Sequence, residues 1–166
     1  MHNKVVYRIA RALRRTGAVV LRFNFRGVNL SEGAHAHGDG EVEDARAALQ
    51  WLRSRYPGLP HTLAGFSFGA RVILRLGCDC TEAARLIAVG FPTAYRDHPA
   101  LAACTTPKVL IYGARDRYAP RADVEALMTT LAEPKRLIVI DDADHFFAGA
   151  LDAIEEAVVT LTEPAE

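Results

Sequence analysis

Apolar positions fall along this chain in two alternating rhythms. Residues 3–15 place Val5, Val6, Ile9 and Leu13 on one stripe, with Arg8, Arg11, Arg14 and Arg15 largely elsewhere, the spacing of an amphipathic helix whose arginines read as a solvated face. Gly17 closes that helix, and residues 18–25 follow as a mostly apolar strand. Residues 26–38, rich in small and polar side chains, read as a loop. Asp39 is placed to cap a helix striped by Val42, Ala45, Leu49 and Leu52, which Pro57-Gly58 then breaks. Further strands are predicted at 61–66, 85–91, 108–113 and 135–140, with residues 92–106 irregular. Helices are predicted from 69 to about 76, on the stripe Val124, Leu127, Met128 and Leu131, and on the stripe Phe147, Leu151, Ile154, Val158 and Leu161. Continuous apolar strands alternating with helices imply an α/β fold, a mostly parallel sheet flanked by helices on both faces.

One stretch organises the rest. Leu63-Ala64-Gly65-Phe66-Ser67-Phe68-Gly69-Ala70 is an apolar run that ends in Gly-x-Ser-x-Gly and passes directly into helix-forming residues. It reads as a nucleophile elbow, a sharp strand-to-helix turn that lifts the Ser67 hydroxyl clear of the sheet in strained backbone geometry. Gly65 and Gly69 are expected where a side chain would block that turn. The Phe68 amide then opens the helix, where an unpaired donor and the helix dipole favour a developing oxyanion. The pattern alone is weak, since chance would produce it in a chain of this length about one time in twenty. Its position between a strand signal and a helix signal is what gives it weight.

Composition narrows the classes. The 166 residues suit a single domain over 1–166 with a full core, and 50% of them are hydrophobic. Lys plus Arg and Asp plus Glu are 20 each, which argues against nucleic acid as a partner. The amphipathic start lacks the apolar core of a signal peptide, and no run approaches membrane-spanning length, so no membrane partner and a cytoplasmic location are expected. Three cysteines, Cys78, Cys80 and Cys104, leave one unpaired in any scheme and are expected to be reduced thiols. His35 and His37 lack a third ligand in pattern and are assigned to a flexible loop, so no metal is expected.

A serine hydroxyl needs a base to take its proton and an acid residue to orient that base. In a parallel α/β sheet both should come from loops beyond the carboxyl ends of later strands, in the order Ser, Asp or Glu, His. Of the six histidines, His145 lies in the loop directly after a strand beyond the elbow, whereas His98 lies in the irregular stretch between Asp97 and Pro99. Asp116 follows the strand 108–113, and Asp141, Asp142 and Asp144 lie close to His145 in sequence. Near neighbours cannot easily turn a carboxylate onto that imidazole, so Asp116 is preferred. Phe66, Phe68, Phe91, Tyr95 and Phe146 are candidates for pocket walls, core packing being the commoner job for each.

With those residues in place, the chain resembles the α/β-hydrolases, and closely the small bacterial α/β superfamily hydrolases, over nearly its whole length. The resemblance is carried by Gly65-Phe66-Ser67-Phe68-Gly69 and by Asn24-Phe25-Arg26-Gly27-Val28, Ser31-Glu32-Gly33, Gly40-Glu41, Gly113-Ala114-Arg115-Asp116 and Ala143-Asp144-His145-Phe146-Phe147, in that order. It implies that Ser67, Asp116 and His145 form the family's triad and that a small-molecule acyl substrate, an ester or relative, is cleaved through an acyl-serine. No cofactor is implied, and a homodimer is left open.

The resemblance also implies a departure. Members of this subgroup begin with further strands and a histidine-proline-rich loop that supplies a second oxyanion N–H, and this sequence starts after that loop. The strand without a counterpart would lie between those matching 19–25 and 62–66, in the middle of the sheet. The expectation is that the start was assigned at an internal methionine; the alternatives are a natural shortening and a partner chain that fills the gap. A catalytically weak or silent shortened hydrolase acting as a binding module is the rival reading. A thiol hydrolase is disfavoured because no cysteine occupies the elbow.

Overall fold

In the computed structural model, which describes residues 3–79, 83–95 and 98–162, ten elements follow in order. They are α1 (Lys4–Arg15), α2 (Asp39–Arg55), β1 (His61–Phe66), α3 (Phe68–Asp79), β2 (Ala83–Val89), α4 (His98–Ala103), β3 (Lys108–Gly113), α5 (Arg121–Thr130), β4 (Lys135–Ile140) and α6 (Leu151–Thr162). The strands form one parallel sheet in the order β1-β2-β3-β4. Because side chains alternate across a strand, β2 sends Ile87 and Val89 to one face and Leu86 and Ala88 to the other. On the first face they meet Val5, Ile9 and Leu13 of α1 and Ile154 and Val158 of α6. On the second they meet Ile73 and Leu74 of α3, Leu101 of α4 and Val124 and Leu127 of α5. Helices therefore cover both faces. Among the described residues no helix is long and apolar enough to cross a membrane.

The expected strand at 18–25 does not form. The backbone there is extended but joins no sheet, and β1 pairs with β2 alone among the described residues. A trough of about 950 Å³, lined by residues of 18–25 on one side and by Thr62, Ala64 and Phe66 on the other, separates the two. Val19, Leu21 and Phe23 are left 48%, 37% and 41% exposed. A strand is completed by its neighbour's hydrogen bonds, and an apolar extended segment without a neighbour in reach stays a segment. The trough lies where the resemblance places a further strand, between those matching 19–25 and 62–66.

Smaller corrections follow from packing. Residues 92–106 include the short helix α4. Cys78 and Cys104 are joined in a disulfide with Cα atoms 5.0 Å apart, not reduced as the odd cysteine count suggested, because α4 brings Cys104 against the end of α3. Cys80 lies outside the described residues. Asp39 is the first residue of α2, not its cap; Gly38 takes the cap position, and the Glu41 carboxylate accepts its N–H at 2.8 Å. The arginines of α1 are not simply solvated. Arg8, Arg11 and Arg15 converge on the buried Glu155 of α6 at 3.0, 3.2 and 3.0 Å, and Arg8 also pairs with Asp152.

That cluster ties α1 to α6 across the first face. Burial would push the Glu155 carboxyl up, but hydrogen bonds from Arg15 and Arg8 and the charge of Arg11 outweigh it and hold the group below its ordinary 4.5. A carboxyl depressed in the folded state stabilises the fold above its unfolded value and loses that contribution as pH falls through the folded one. Glu155→Gln should therefore lower the melting temperature at pH 7 by several degrees, at roughly 2–4 °C per kcal/mol for a chain this size. The gap from wild type should close as pH drops below 4.5, which parallel thermal melts across that range would check.

Candidate active site

The site is built where β1 ends. Phe66 is the last strand residue, Ser67 takes a left-handed φ of 54°, and α3 begins at Phe68. A non-glycine residue in that region is strained, and the neighbouring structure must fix it there. Ser67 N–H donates to the Val89 carbonyl at 2.9 Å, and the Ser67 carbonyl accepts from Ala70 N–H at 2.9 Å and Arg71 N–H at 3.3 Å. The backbone is thus gripped by β2 on one side and by the first turn of α3 on the other. Phe68 sits at the first helical position, where an amide has no intrahelical acceptor.

Only one of the two motif glycines is demanded by contact. A Cβ on Gly65 would lie 2.3 Å from the Gly69 carbonyl oxygen, an overlap of backbone on backbone that nothing flexible can relieve. A Cβ on Gly69 would meet nothing within 4 Å outside its own helix, and Gly69 faces the trough. The expectation that bulk at Gly69 would block the turn is corrected accordingly. In this chain the obstacle on that side is absent.

Asp116 and His145 arrive from the carboxyl ends of β3 and β4. Asp116 N–H donates to the Gly113 carbonyl at 3.0 Å, and its Oδ1 accepts from Tyr118 N–H at 2.8 Å and Ala119 N–H at 3.2 Å. That leaves Oδ2 aimed at His145 Nδ1, 2.8 Å away. His145 Nε2 lies 2.9 Å from Ser67 Oγ. Both Asp116 and His145 are buried. A carboxylate only accepts, so Nδ1 carries the proton and Nε2 presents its lone pair to the serine hydroxyl. Two of the nearby aspartates are used otherwise: Asp142 pairs with Arg115, and Asp144 Oδ1 accepts from Ala148 N–H at 3.0 Å.

Two further glycines lie beside this chain of contacts, and the sequence did not single them out. A Cβ on Gly113 would fall 2.3 Å from the Ala143 carbonyl oxygen, where the loop carrying His145 crosses the end of β3. Gly90 takes a left-handed φ of 56°, and a Cβ there would lie 3.2 Å from Phe66 Cε2 and in ordinary contact, 3.4 Å, with ring atoms of His145. The Tyr112 hydroxyl donates to the Phe91 carbonyl at 2.8 Å, tying the ends of β2 and β3 together beneath the site. Burial, with the Asp116 charge adding to it, raises that phenol above its ordinary range and keeps it a donor.

The loop 26–38 borders the site and is anchored, contrary to the flexible loop expected for His35 and His37. Arg26 binds Asp44 through its side chain, Nη2 to Oδ1 at 2.7 Å, and through its backbone N–H, 2.9 Å from Oδ2. Buried Glu41 accepts from Ala36 N–H at 2.9 Å and meets His35 Nδ1 at 2.7 Å. The His35 ring packs against Phe68, centroids 5.1 Å apart. Among the described residues no group of three His, Cys, Asp or Glu could hold a metal ion. Of the aromatic candidates, Phe66 and Phe91 are buried, Tyr95 lies under the Arg71 guanidinium, and Phe68 packs against Phe25. Phe146 is exposed and touches His145, as does Tyr118, which the sequence did not single out.

A family model described as an alpha/beta hydrolase domain matches residues 1–157. The fold is similar to an alpha-beta serine hydrolase homologue from Coxiella burnetii, with TM-score 0.92 and 37% identity over 97% of this chain and 77% of that one. It is also similar to an α/β serine hydrolase without a lid from Xanthomonas campestris, with TM-score 0.89 and 38% identity over 100% and 77%. An uncharacterized protein of Rickettsia prowazekii is 37% identical over 95% of this chain and 70% of its own length. Against an uncharacterized protein of Mycobacterium tuberculosis the identity is 30%, and the match spans 56% of that protein.

The glycine geometry makes an asymmetric prediction. Gly65→Ala should destabilise the protein by about 1–3 kcal/mol or prevent folding, as overpacking against fixed backbone does. Gly69→Ala should melt within about 0.5 kcal/mol of wild type, or above it, because alanine favours a helix more than glycine does. Urea denaturation of the two variants side by side checks both.

Proposed function

This chain belongs to the alpha/beta hydrolase family, and we propose that it is a serine hydrolase of carboxylic esters, with Ser67 as nucleophile, His145 as general base and acid, and Asp116 as the group that orients the imidazole. The observation that carries this reading is the unbroken relay of two contacts through one ring, Asp116 Oδ2 to Nδ1 at 2.8 Å and Nε2 to Ser67 Oγ at 2.9 Å. The two solved relatives described as serine hydrolases, at 37% and 38% identity, add support.

In the reaction Ser67 Oγ attacks the ester carbonyl carbon while Nε2 takes the hydroxyl proton. The carbonyl π pair moves onto oxygen, and Phe68 N–H, at the positive end of α3, stabilises that oxyanion. Collapse breaks the bond to the alcohol oxygen, which leaves with the proton from Nε2. Water then adds to the acyl-serine, giving its proton to Nε2, and the second collapse returns that proton to Ser67 Oγ and frees the acid. Through both halves Asp116 stays ionised, offsetting the imidazolium charge and holding Nδ1–H.

The open trough beside β1 supports the rival reading of a weak or silent binding module, since a sheet with an unfilled side is less rigid under Ser67.

Initial rates on p-nitrophenyl butyrate decide between the two. The proposal expects turnover above background that Ser67→Ala and His145→Ala abolish and that Asp116→Asn lowers on the order of 10⁴-fold in kcat. A folded wild type no faster than Ser67→Ala would favour the silent module.

A further inference from the structure

Tyr118 and Phe146 each pack a ring against the imidazole that, in the proposed reaction, returns a proton to the departing alcohol. Their ring centroids are 4.6 and 5.2 Å from that of His145, and they are 57% and 60% exposed. Scattered apolar residues on a surface need no explanation. These two differ because both touch the same functional side chain, and because the site's own hydrogen bonds and packing fix their backbones.

Tyr118 N–H donates to Asp116 Oδ1, the oxygen not used by His145. Phe146 lies between His145 and Phe147, a fully buried residue whose φ of 53° turns the chain there. Beneath them Phe66 sits with its ring 5.1 Å from the imidazole and 6.5 Å from Phe146. Ring positions set in advance cost a ligand little ordering on binding.

On this geometry, and resting on the hydrolase reading above, we infer that Tyr118 and Phe146 form an open aryl subsite for the leaving group and select esters of aromatic alcohols. Nε2 delivers its proton to the alcohol oxygen, so that oxygen is within hydrogen-bonding reach of the imidazole as it leaves. A flat ring one or two bonds away comes within reach of the exposed rings that pack on His145, where face and edge contacts with Tyr118 and Phe146 favour a planar π system over a puckered one of equal size. Specificity resides in shape and ring electronics; no charged group is needed on the alcohol.

The test compares benzyl acetate with cyclohexylmethyl acetate, leaving groups of like size and similar basicity that differ in planarity. The expected ratio of kcat/KM is about tenfold in favour of benzyl, the scale of one or two aromatic contacts. It should fall to near one in the double variant Tyr118→Leu/Phe146→Leu. Binding of benzyl alcohol and cyclohexylmethanol to folded Ser67→Ala protein, followed by saturation-transfer NMR, gives a second readout independent of turnover. There benzyl alcohol alone should show transfer, and the added double substitution should remove it. A ratio near one in the wild type, a ratio the leucines leave intact, or equal NMR transfer from the two alcohols would overturn the subsite. Absence of Ser67-dependent hydrolysis with selective benzyl alcohol binding would count against the hydrolase reading and leave the subsite standing.

Discussion

The contact on which the rest depends is the approach of α3 to β1 at Gly65. The Gly69 carbonyl comes so near that a single methyl group on Gly65 would sit 2.3 Å from its oxygen. Only with that approach can the helix start one residue after the strand ends, and only then is Ser67 forced to φ 54° with its hydroxyl raised off the sheet. Strain of this kind survives when its surroundings over-determine it. The Val89 carbonyl and the amides of Ala70 and Arg71 provide that grip at the elbow itself.

From there the parallel sheet does the positioning. Parallel strands present all their carboxyl ends on one side, so loops leaving β1, β3 and β4 meet above the same edge. Two more glycines shape the same edge. Gly113 admits the Ala143 carbonyl at the end of β3, and Gly90 turns the chain beside the His145 ring at a left-handed φ of 56°. The rigidity of the first face, where α1 and α6 are tied through Glu155, and the unfilled trough beside β1 act in opposite senses on this frame. One braces the sheet at its core; the other leaves β1 paired along a single edge.

Features set by local pattern could be read from the sequence. The helix stripes, the apolar strands and the elbow depend on residues a few positions apart, and Asp116 and His145 could be located because strand ends fix where loops emerge. What could not be read depends on distant parts of the chain meeting. Residues 18–25 have the composition of a strand but, among the described residues, no neighbour to complete one. Arg8, Arg11 and Arg15 look solvated until α6 brings Glu155 beneath them. Cys78 and Cys104 pair because α4, not visible as a helix among residues 92–106, packs on α3. Gly65 and Gly69 look equivalent in the motif, and only the side from which the neighbouring backbone approaches distinguishes them.

In the proposed hydrolase this strained turn makes one hydroxyl, that of Ser67, reactive. Intact mass spectrometry after exposure to a fluorophosphonate, with the modified peptide sequenced, tests it most directly. A single phosphonyl adduct per chain is expected, located on Ser67 and absent when the protein is denatured first. A folded protein that takes up no adduct, or takes it up at another residue, would contradict the account.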